Sequence, residues 1–498
     1  MSLWAGKKIL IVGLARSGLA AAEAAAKLGA EAWGYDAKPA GAIGEAALAL
    51  FQAPAGGARL FLGGAEPRPD ERWDCLVLSP GVPVDAPLVA AARAGGAEII
   101  GEIEFAWRIG RASYIAVTGT NGKTTTTTLI GRMMANAGMR TEIVGNIGVP
   151  AASKALLGDM GEGAWMVAET SSFQLETISG FHPRVSVVLN ITPDHMDRHK
   201  NMENYAAAKA RIFENQGEGD FFVVNRDDPA AWALAAGCAA RVVPFSRARE
   251  LDYGVFVRGG QIVARLGGAQ APGTAAGTSD GGGAPVLGAA TGASDGGGAQ
   301  APAGDTVLCG AGELAIPGAH NLENALAAAA AAICAGAACG SVAQTLREFK
   351  GVEHRLEPVA GLRGVRFVND SKGTNPGASI KALEAMGSGI CLIAGGYDKS
   401  ASFEDFAQAF EGRVKMLALM GKTAGKIAAA AEAAGFDTSN IAICQNMEEC
   451  VAQAFKAAGP GDTVLLSPAC ASWDMYSCFE ERGEDFKKCV EALAEYAG

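Results

Sequence analysis

The chain has 498 residues, with 42 Lys and Arg against 53 Asp and Glu, a formal net charge of −11 and 49% hydrophobic residues. That is length for about three domains, with enough apolar content to bury several cores, which rules out global disorder. The acidic balance argues against a protein that coats nucleic acid, while local groups can still hold an anionic substrate.

The first hundred residues alternate strand and helix signals. KKILIV (7–12) is a short buried-strand run, Gly13 to Gly18 turns, and Ser17 to Leu28 reads as a helix stopped at Gly29. Glu31 to Asp36 and CLVLS (75–79) are further strands, a βαβ pattern with a parallel sheet. A second unit opens at YIAVT (114–118), with strands predicted at 165–168, 185–190 and 221–225 and helices at 123–137 and 204–214. GVFVR, a Gly259-Gly260 turn and QIVAR form a hairpin. Residues 267–304 are nearly all small or polar and contain two tandem copies of one unit (273–287 and 288–302). They read as a disordered insertion within a hairpin, two copies being too few for a solenoid. Helix resumes from Asn321, and Ala325 to Leu346, though uncharged, is mostly Ala and Gly and reads as packed helices rather than a membrane span. A third unit from Gly351 has strands at 365–370, 390–396, 414–421 and 463–467 with helices between them. The fold class expected is α/β in three domains, each an open, mostly parallel sheet with flanking helices: Rossmann-like, then P-loop, then Rossmann-like. The N-terminus lacks the order of a signal peptide, and eleven cysteines without a C-x-x-C pair read as reduced thiols in a cytoplasmic protein.

Several segments carry chemistry. TGTNGKTT (118–125) leaves a strand and opens a helix, so backbone N–H groups and the helix N-terminus face an anion, Lys123 reaches outer phosphates and Thr124 can ligate magnesium. A standard Walker loop wants Gly where Val117 stands, so this loop is shorter. GLARSG (13–18) is like a dinucleotide fingerprint, with Ala15 at its middle position and Asp36 at the next strand end. A phosphate-bearing ligand other than NAD is favoured over NAD and over plain structure. Glu169 ends a strand, where it can hold magnesium or serve as a solvated cap. Asp194, His195, Asp197 and His199 suit magnesium or manganese, or form a polar turn. Lys209 follows Tyr205 by one helical turn and taken alone is a surface lysine. Asn321 and Asn324 are one turn apart and can bracket an adenine or ribose, or cap the helix. Arg355, Asp370, Lys372, Thr374 and Lys399 gather at strand ends of the third unit, pointing to an anionic ligand or to ordinary turn chemistry. Ser467, Ser472 and Phe479 surround a last strand–loop–helix junction.

Taken together these segments resemble the Mur ligase family. GTNGKT, GNIG (145–148), SSFQLE, DHMDR, the Tyr205/Lys209 pair, EHR, NDSKGTNP, SPACAS and FEERG occur in family order from about residue 7 to 490. The resemblance is nearest to members that join D-glutamate to UDP-N-acetylmuramoyl-L-alanine. It implies ATP-driven amide formation through an acyl phosphate, in cytoplasmic peptidoglycan precursor synthesis. It also implies a UDP-substrate domain (1–101), an ATP domain (102–351) and an amino-acid domain (352–498). Gly119, Thr120, Asn121, Gly122, Lys123, Thr124, Thr125, Asn321, Asn324, Arg355 and Asp370 would bind ATP. Thr124 and Glu169 would hold one magnesium ion, and His195 with a carbamylated Lys209 a second. Arg16, Ser17, Asp36, Lys38 and Ser79 would surround the UDP part, with Asn146 and His195 on the muramoyl-alanyl part. Lys372, Thr374, Ser472 and Phe479 would hold D-glutamate, assisted by Lys399. Trp473 stands where a smaller apolar residue is common, implying a differently shaped pocket. No nucleic acid, no membrane insertion and a monomer are expected. A sibling muropeptide or folylpolyglutamate ligase is disfavoured by SPACASWD and NDSKGTNP. A P-loop switch without ligation is disfavoured by Lys123, Glu169, His195 and Lys209 together.

Overall fold

The computed structural model describes residues 3–43, 48–51, 59–67, 71–267, 304–316, 318–398 and 401–497. The repeat insertion, described only at its ends, and Lys399 therefore lie outside the described residues. The chain divides into two compact units, residues 1–313 with 323–347, and residues 314–322 with 348–498.

The first unit holds two sheets. β1 (Lys8–Val12), β2 (Glu31–Asp36), β3 (Leu60–Leu62), β4 (Cys75–Leu78) and β5 (Glu98–Gly101) form a parallel sheet in the order β3-β2-β1-β4-β5. β1 is buried on both faces, which is why it reads as an unbroken apolar run. The order reverses at β1, so the turn after it, Gly13–Gly18, opens the crevice where such sheets take ligands. That turn is glycine-bounded for steric reasons: a Cβ on Gly18 would stand 2.0 Å from the Gly13 carbonyl oxygen.

The second sheet comprises β6 (Ser113–Thr118), β7 (Thr141–Gly145), β8 (Trp165–Glu169), β9 (Val185–Val188), β10 (Phe221–Asn225), β11 (Arg241–Ser246), β12 (Gly254–Arg258), β13 (Gln261–Arg265) and β14 (Thr306–Gly310). Their order is β14-β13-β12-β11-β10-β9-β6-β8-β7, parallel from β7 to β12 and antiparallel through the last three. Gly259 and Gly260 both have positive φ (56° and 76°), the backbone a two-residue hairpin turn requires. β13 and β14 pair antiparallel, so residues 268–303 fall in the connection between them. One apolar cluster runs through both sheets, from Ile9 and Ile11 by way of Phe105, Tyr114 and Phe181 to Phe222.

In the second unit β15 (Glu357–Leu362) pairs antiparallel with β16 (Val365–Asn369); β17 (Ile390–Ala394), β18 (Val414–Leu419), β19 (Ile441–Ile443) and β20 (Thr463–Leu466) complete a sheet ordered β15-β16-β20-β17-β18-β19. Apolar clusters cover both of its faces.

Element boundaries shift from those expected. The helix predicted at 204–214 runs Met202–Ala210, capped by the Asn201 side chain on the Asn204 N–H, and continues as a 3-10 turn over Arg211–Phe213. The uncharged stretch is split between helices Ala319–Cys334 and Cys339–Glu348, with Gly336 at φ 102° between them. Among the described residues no helix is long and apolar enough to cross a membrane. All eleven cysteines are unbridged.

Candidate active site

The loop between β6 and the helix Lys123–Asn136 is built around two glycines whose backbone a larger residue could not adopt without strain. Gly119 and Gly122 have φ of 151° and 85°, and a Cβ on Gly122 would lie 2.2 Å from Asn324 Oδ1. Asn190 clamps the loop from the end of β9, its Oδ1 accepting the Asn121 N–H at 2.8 Å and its Nδ2 donating to the Asn121 carbonyl at 3.1 Å. Lys123 folds back, donating to the carbonyls of Gly119 and Thr120, both at 2.9 Å. Lys209 donates to the same Gly119 carbonyl at 2.9 Å. It is 1% exposed, and its ammonium lies 4.5 Å from the centre of the Tyr205 ring. Burial, then the charge of Lys123, holds the Lys209 amine well below the usual lysine value, while Asp194 and Glu169 pull the other way.

Glu169 ends β8 beside β6, with Val117 as its register partner. Its carboxylate accepts from Thr124 Oγ1 at 2.8 Å and from Asn146 Nδ2 at 2.9 Å. Thr120 Oγ1 lies 3.3 Å from the Tyr205 hydroxyl and donates to the Thr192 carbonyl at 3.0 Å. His195 is a left-handed residue (φ 55°) capping the short helix Met196–His199; its ring meets Phe173 edge-on at 4.9 Å. The Asp197 side chain lies outside the described residues. His199 is buried, with Nε2 2.9 Å from Ser172 Oγ and its ring stacked on Phe173. The Thr124 and Glu169 oxygens are hard donors of the kind magnesium takes, and the Thr125 hydroxyl, buried on the same helix, has no partner among the described residues. Residues here thus fit a magnesium–nucleotide, with two lysines donating to one loop carbonyl.

Around the first crevice, Asp36 is engaged by the fold: it accepts the Leu14 N–H at 2.8 Å and the Lys38 N–H at 2.9 Å. Ser79 Oγ donates to the Gly13 carbonyl at 2.7 Å, and the Arg16 guanidinium reaches the Gly148 carbonyl. Ser17 and Lys38 stand at the surface of the same loops. Asn324 is buried, its Oδ1 3.4 Å from Thr126 Oγ1.

The second unit carries the other expected residues. Asn321 is buried near the start of helix Ala319–Cys334. Asp370 is buried at the end of β16, accepting from Ser467 Oγ at 2.8 Å, with the Arg355 guanidinium 4.0 Å away. Burial pushes its carboxyl up to about 6 against the pull of Arg355. The Lys372 ammonium sits 4.4 Å from the centre of the Phe479 ring, and the Thr374 N–H donates to the Lys372 carbonyl. Ser472 Oγ is buried without a partner among the described residues.

Two residues escaped the sequence reading. Asn190 lay inside a predicted strand, and its signal was a polar residue closing an apolar run. Arg482, in FEERG, is fully buried and donates to Ser371 Oγ (3.0 Å), the Ser371 carbonyl (2.8 Å) and the Cys470 carbonyl (3.1 Å). It ties the loop after β16 to the loop after β20. Burial lowers its pKa to about 10. Among the described residues, Glu353, His354 and Glu484 form a group with metal-ligand spacing. Lys487 already stands among them, 2.5 Å from Glu353 and 2.9 Å from Glu484, which makes it an ion-pair network.

A phosphate loop with a buried carboxylate–hydroxyl pair beside it defines an enzyme that handles a nucleoside triphosphate. Residues 117–260 match the Mur ligase middle domain and residues 354–470 the Mur ligase glutamate ligase domain. The UDP-N-acetylmuramoylalanine–D-glutamate ligase of Pelotomaculum thermopropionicum is 49% identical over 98% of both chains. That of Thermoanaerobacter pseudethanolicus is 44% identical over 98% of this chain and 99% of its own. Among solved structures, UDP-N-acetylmuramate-alanine ligase from Thermotoga maritima matches with a TM-score of 0.57 at 18% identity, covering 98% of this chain and 100% of that one, which speaks for the fold alone. The chain belongs to the Mur ligase family, enzymes that form amide bonds with ATP.

Proposed function

We infer that this protein joins D-glutamate to UDP-N-acetylmuramoyl-L-alanine, as the names of its full-length relatives state for them. The observation that carries the reading at the site is the pair of lysines, Lys123 and Lys209, on one loop carbonyl beside the Thr124–Glu169 pair. In the reaction, an oxygen of the alanyl carboxylate attacks the γ-phosphorus of ATP, and ADP leaves with the electron pair. The D-glutamate amine then attacks the acyl carbon, loses a proton and expels phosphate. Carboxylate and triphosphate repel each other, so cations must stand between them. Lys123 supplies one such charge, and the backbone N–H groups at the start of the helix Lys123–Asn136 face the phosphates. Magnesium, when bound, adds positive charge at the phosphate oxygens.

Residues 1–101 are assigned the UDP substrate, with Arg16, Ser17, Lys38 and Ser79 around it and Asp36 holding the loop that meets it. Residues 102–351 take ATP, with Asn324 against Gly122, and Asn146 and His195 serve the muramoyl-alanyl part. Residues 352–498 take D-glutamate through Lys372, Thr374, Ser472, Phe479 and Lys399, while Arg355, Asp370 and Asn321 serve ATP. Two magnesium ions are assigned, one to Thr124 and Glu169, one to His195 and Lys209. The depressed pKa of Lys209 leaves a neutral amine able to add carbon dioxide; the carbamate forms with loss of one proton and turns a cation into an oxygen ligand. Incubation with ¹³C-labelled carbon dioxide should give a carbamate carbonyl resonance that Lys209→Ala lacks. The enzyme is assigned to the cytoplasm as a monomer. The test of the whole reading is phosphate release with ATP, magnesium and UDP-N-acetylmuramoyl-L-alanine, amino acids being added singly. Release that depends on D-glutamate, with a product of the amide's mass, is expected; release with no amino acid would overturn it.

A further inference from the structure

The first unit contains a cavity of about 620 Å³ that none of the candidate site residues lines. Its walls come from Lys7, which precedes β1, Glu98, which opens β5, Ala112, which precedes β6, and the end of helix Glu102–Ile109. These are the N-terminal ends of parallel strands. The turns at Gly13–Gly18 and Gly119–Gly122 leave the opposite ends, and a five-residue strand sets the two edges about 16 Å apart. The cavity is therefore separate from the substrate side, and its size is that of a small-molecule pocket.

Its chemistry is specific. Two indoles, Trp4 and Trp107, line it, and Trp4 is held edge-on by Phe105 at 5.0 Å. The charges can be paired off. Asp74 accepts from Lys7 Nζ at 2.9 Å and from the Lys8 N–H at 2.8 Å. Glu98 takes both arms of Arg108, at 2.7 and 2.8 Å, while Arg108 Nε binds Glu104 at 2.6 Å. Each lining carboxylate thus has its cation. Arg111 is left exposed at the rim with no ion pair or hydrogen bond among the described residues. A cationic ligand would find both acids already neutralised, whereas one negative charge would complete the set. Indole faces favour a flat ring.

We propose that this cavity binds a planar aromatic compound carrying one negative charge, a carboxylate or sulfonate, with its ring against Trp4 and Trp107 and its anion on Arg111. The probe is 1-anilinonaphthalene-8-sulfonate, titrated into the full chain and followed by its own fluorescence and by quenching of tryptophan. Saturable one-to-one binding is expected. Arg111→Ala should weaken it by at least about tenfold, as should removing the sulfonate (N-phenyl-1-naphthylamine in its place), each about 1.4 kcal/mol. Trp107→Ala should reduce the tryptophan quenching, leaving the share that comes from Trp4. Arg111 is exposed, so its variant keeps the fold, and its ligase turnover without dye should stay within about twofold of the parent. Absence of saturable binding, equal affinity in Arg111→Ala, or equally tight binding of the uncharged analogue would each overturn the proposal.

Discussion

Replacing Glu102 by Gln should stabilise the protein, and only above a definable pH. Glu102 opens the helix Glu102–Ile109 and is fully buried. Its Oε1 accepts the Ala152 N–H at 2.6 Å, and its Oε2 has no partner among the described residues. Burial pushes its carboxyl from 4.5 up to about 7, against the opposing pull of the Ala152 and Ala151 N–H groups. An acid whose value is raised by folding destabilises the folded state when ionised. The cost is absent below the unfolded value and complete above the folded one. The interval from 4.5 to about 7 is worth about 3 kcal/mol. Gln keeps the acceptor for Ala152 and removes the charge. Urea denaturation of parent and Glu102→Gln, followed by tryptophan fluorescence from about pH 4 to about pH 8, should show nearly equal stability at the acid end. The variant should lead by about 3 kcal/mol at the alkaline end. A difference independent of pH, or a variant less stable at the alkaline end, would refute the reasoning.

Gly122→Ala places a methyl group 2.2 Å from Asn324 Oδ1 at a φ of 85°, so the loop must deform; KM for ATP should rise at least about tenfold, and an unchanged KM would remove the loop from nucleotide binding. Arg482→Met should cost about 3 kcal/mol in urea denaturation, because two buried carbonyls and the Ser371 hydroxyl lose their donor; a near-neutral change would show that water replaces it. Ser472→Ala removes a buried hydroxyl that has no partner, so the ligand-free protein should gain about 1 kcal/mol while KM for D-glutamate rises. A variant with lower stability and unchanged KM would take Ser472 out of the amino-acid pocket.

What could be read from the sequence followed burial. β1, β6, β16, β17 and β20 are interior strands, covered on both faces, and their apolar runs announce them. β3, β5, β7, β15 and β19 were not anticipated, and each is an edge strand of its sheet; β14, the remaining edge, was anticipated only as the far arm of the hairpin that holds the insertion. An edge strand is half exposed: β7 reads TEIVG and β15 EPVAGL, with polar residues, Gly and Pro that an interior position would not admit. β11 is the exception, an interior strand whose Pro244 disguised it. At the site, the phosphate loop was legible because its spacing is local. Lys209 was not, except by resemblance, because its burial is created by distant chain: nothing in NYAAAKARIFE says that Gly119 will sit on its ammonium. Asp36 was identified from its position at a strand end, but its carboxylate is spent on the loop's own N–H groups, a partnership fixed by tertiary geometry. Arg482 was invisible for the opposite reason, since a charged residue on a helix is by default assigned to solvent.

The unbridged cysteines turn the molecule into its own unfolding recorder. Cys75 lies in β4, Cys309 in β14 and Cys391 in β17, one buried thiol in each of the three sheets. Burial lifts the Cys75 thiol to about 12 and the Cys391 thiol to about 11, so in the folded state almost no thiolate meets an alkylating reagent. Each sheet's cysteine becomes reactive when that sheet opens. Peptide mapping after timed alkylation would therefore give the order in which the three sheets come apart, from the natural chain without a single label engineered into it.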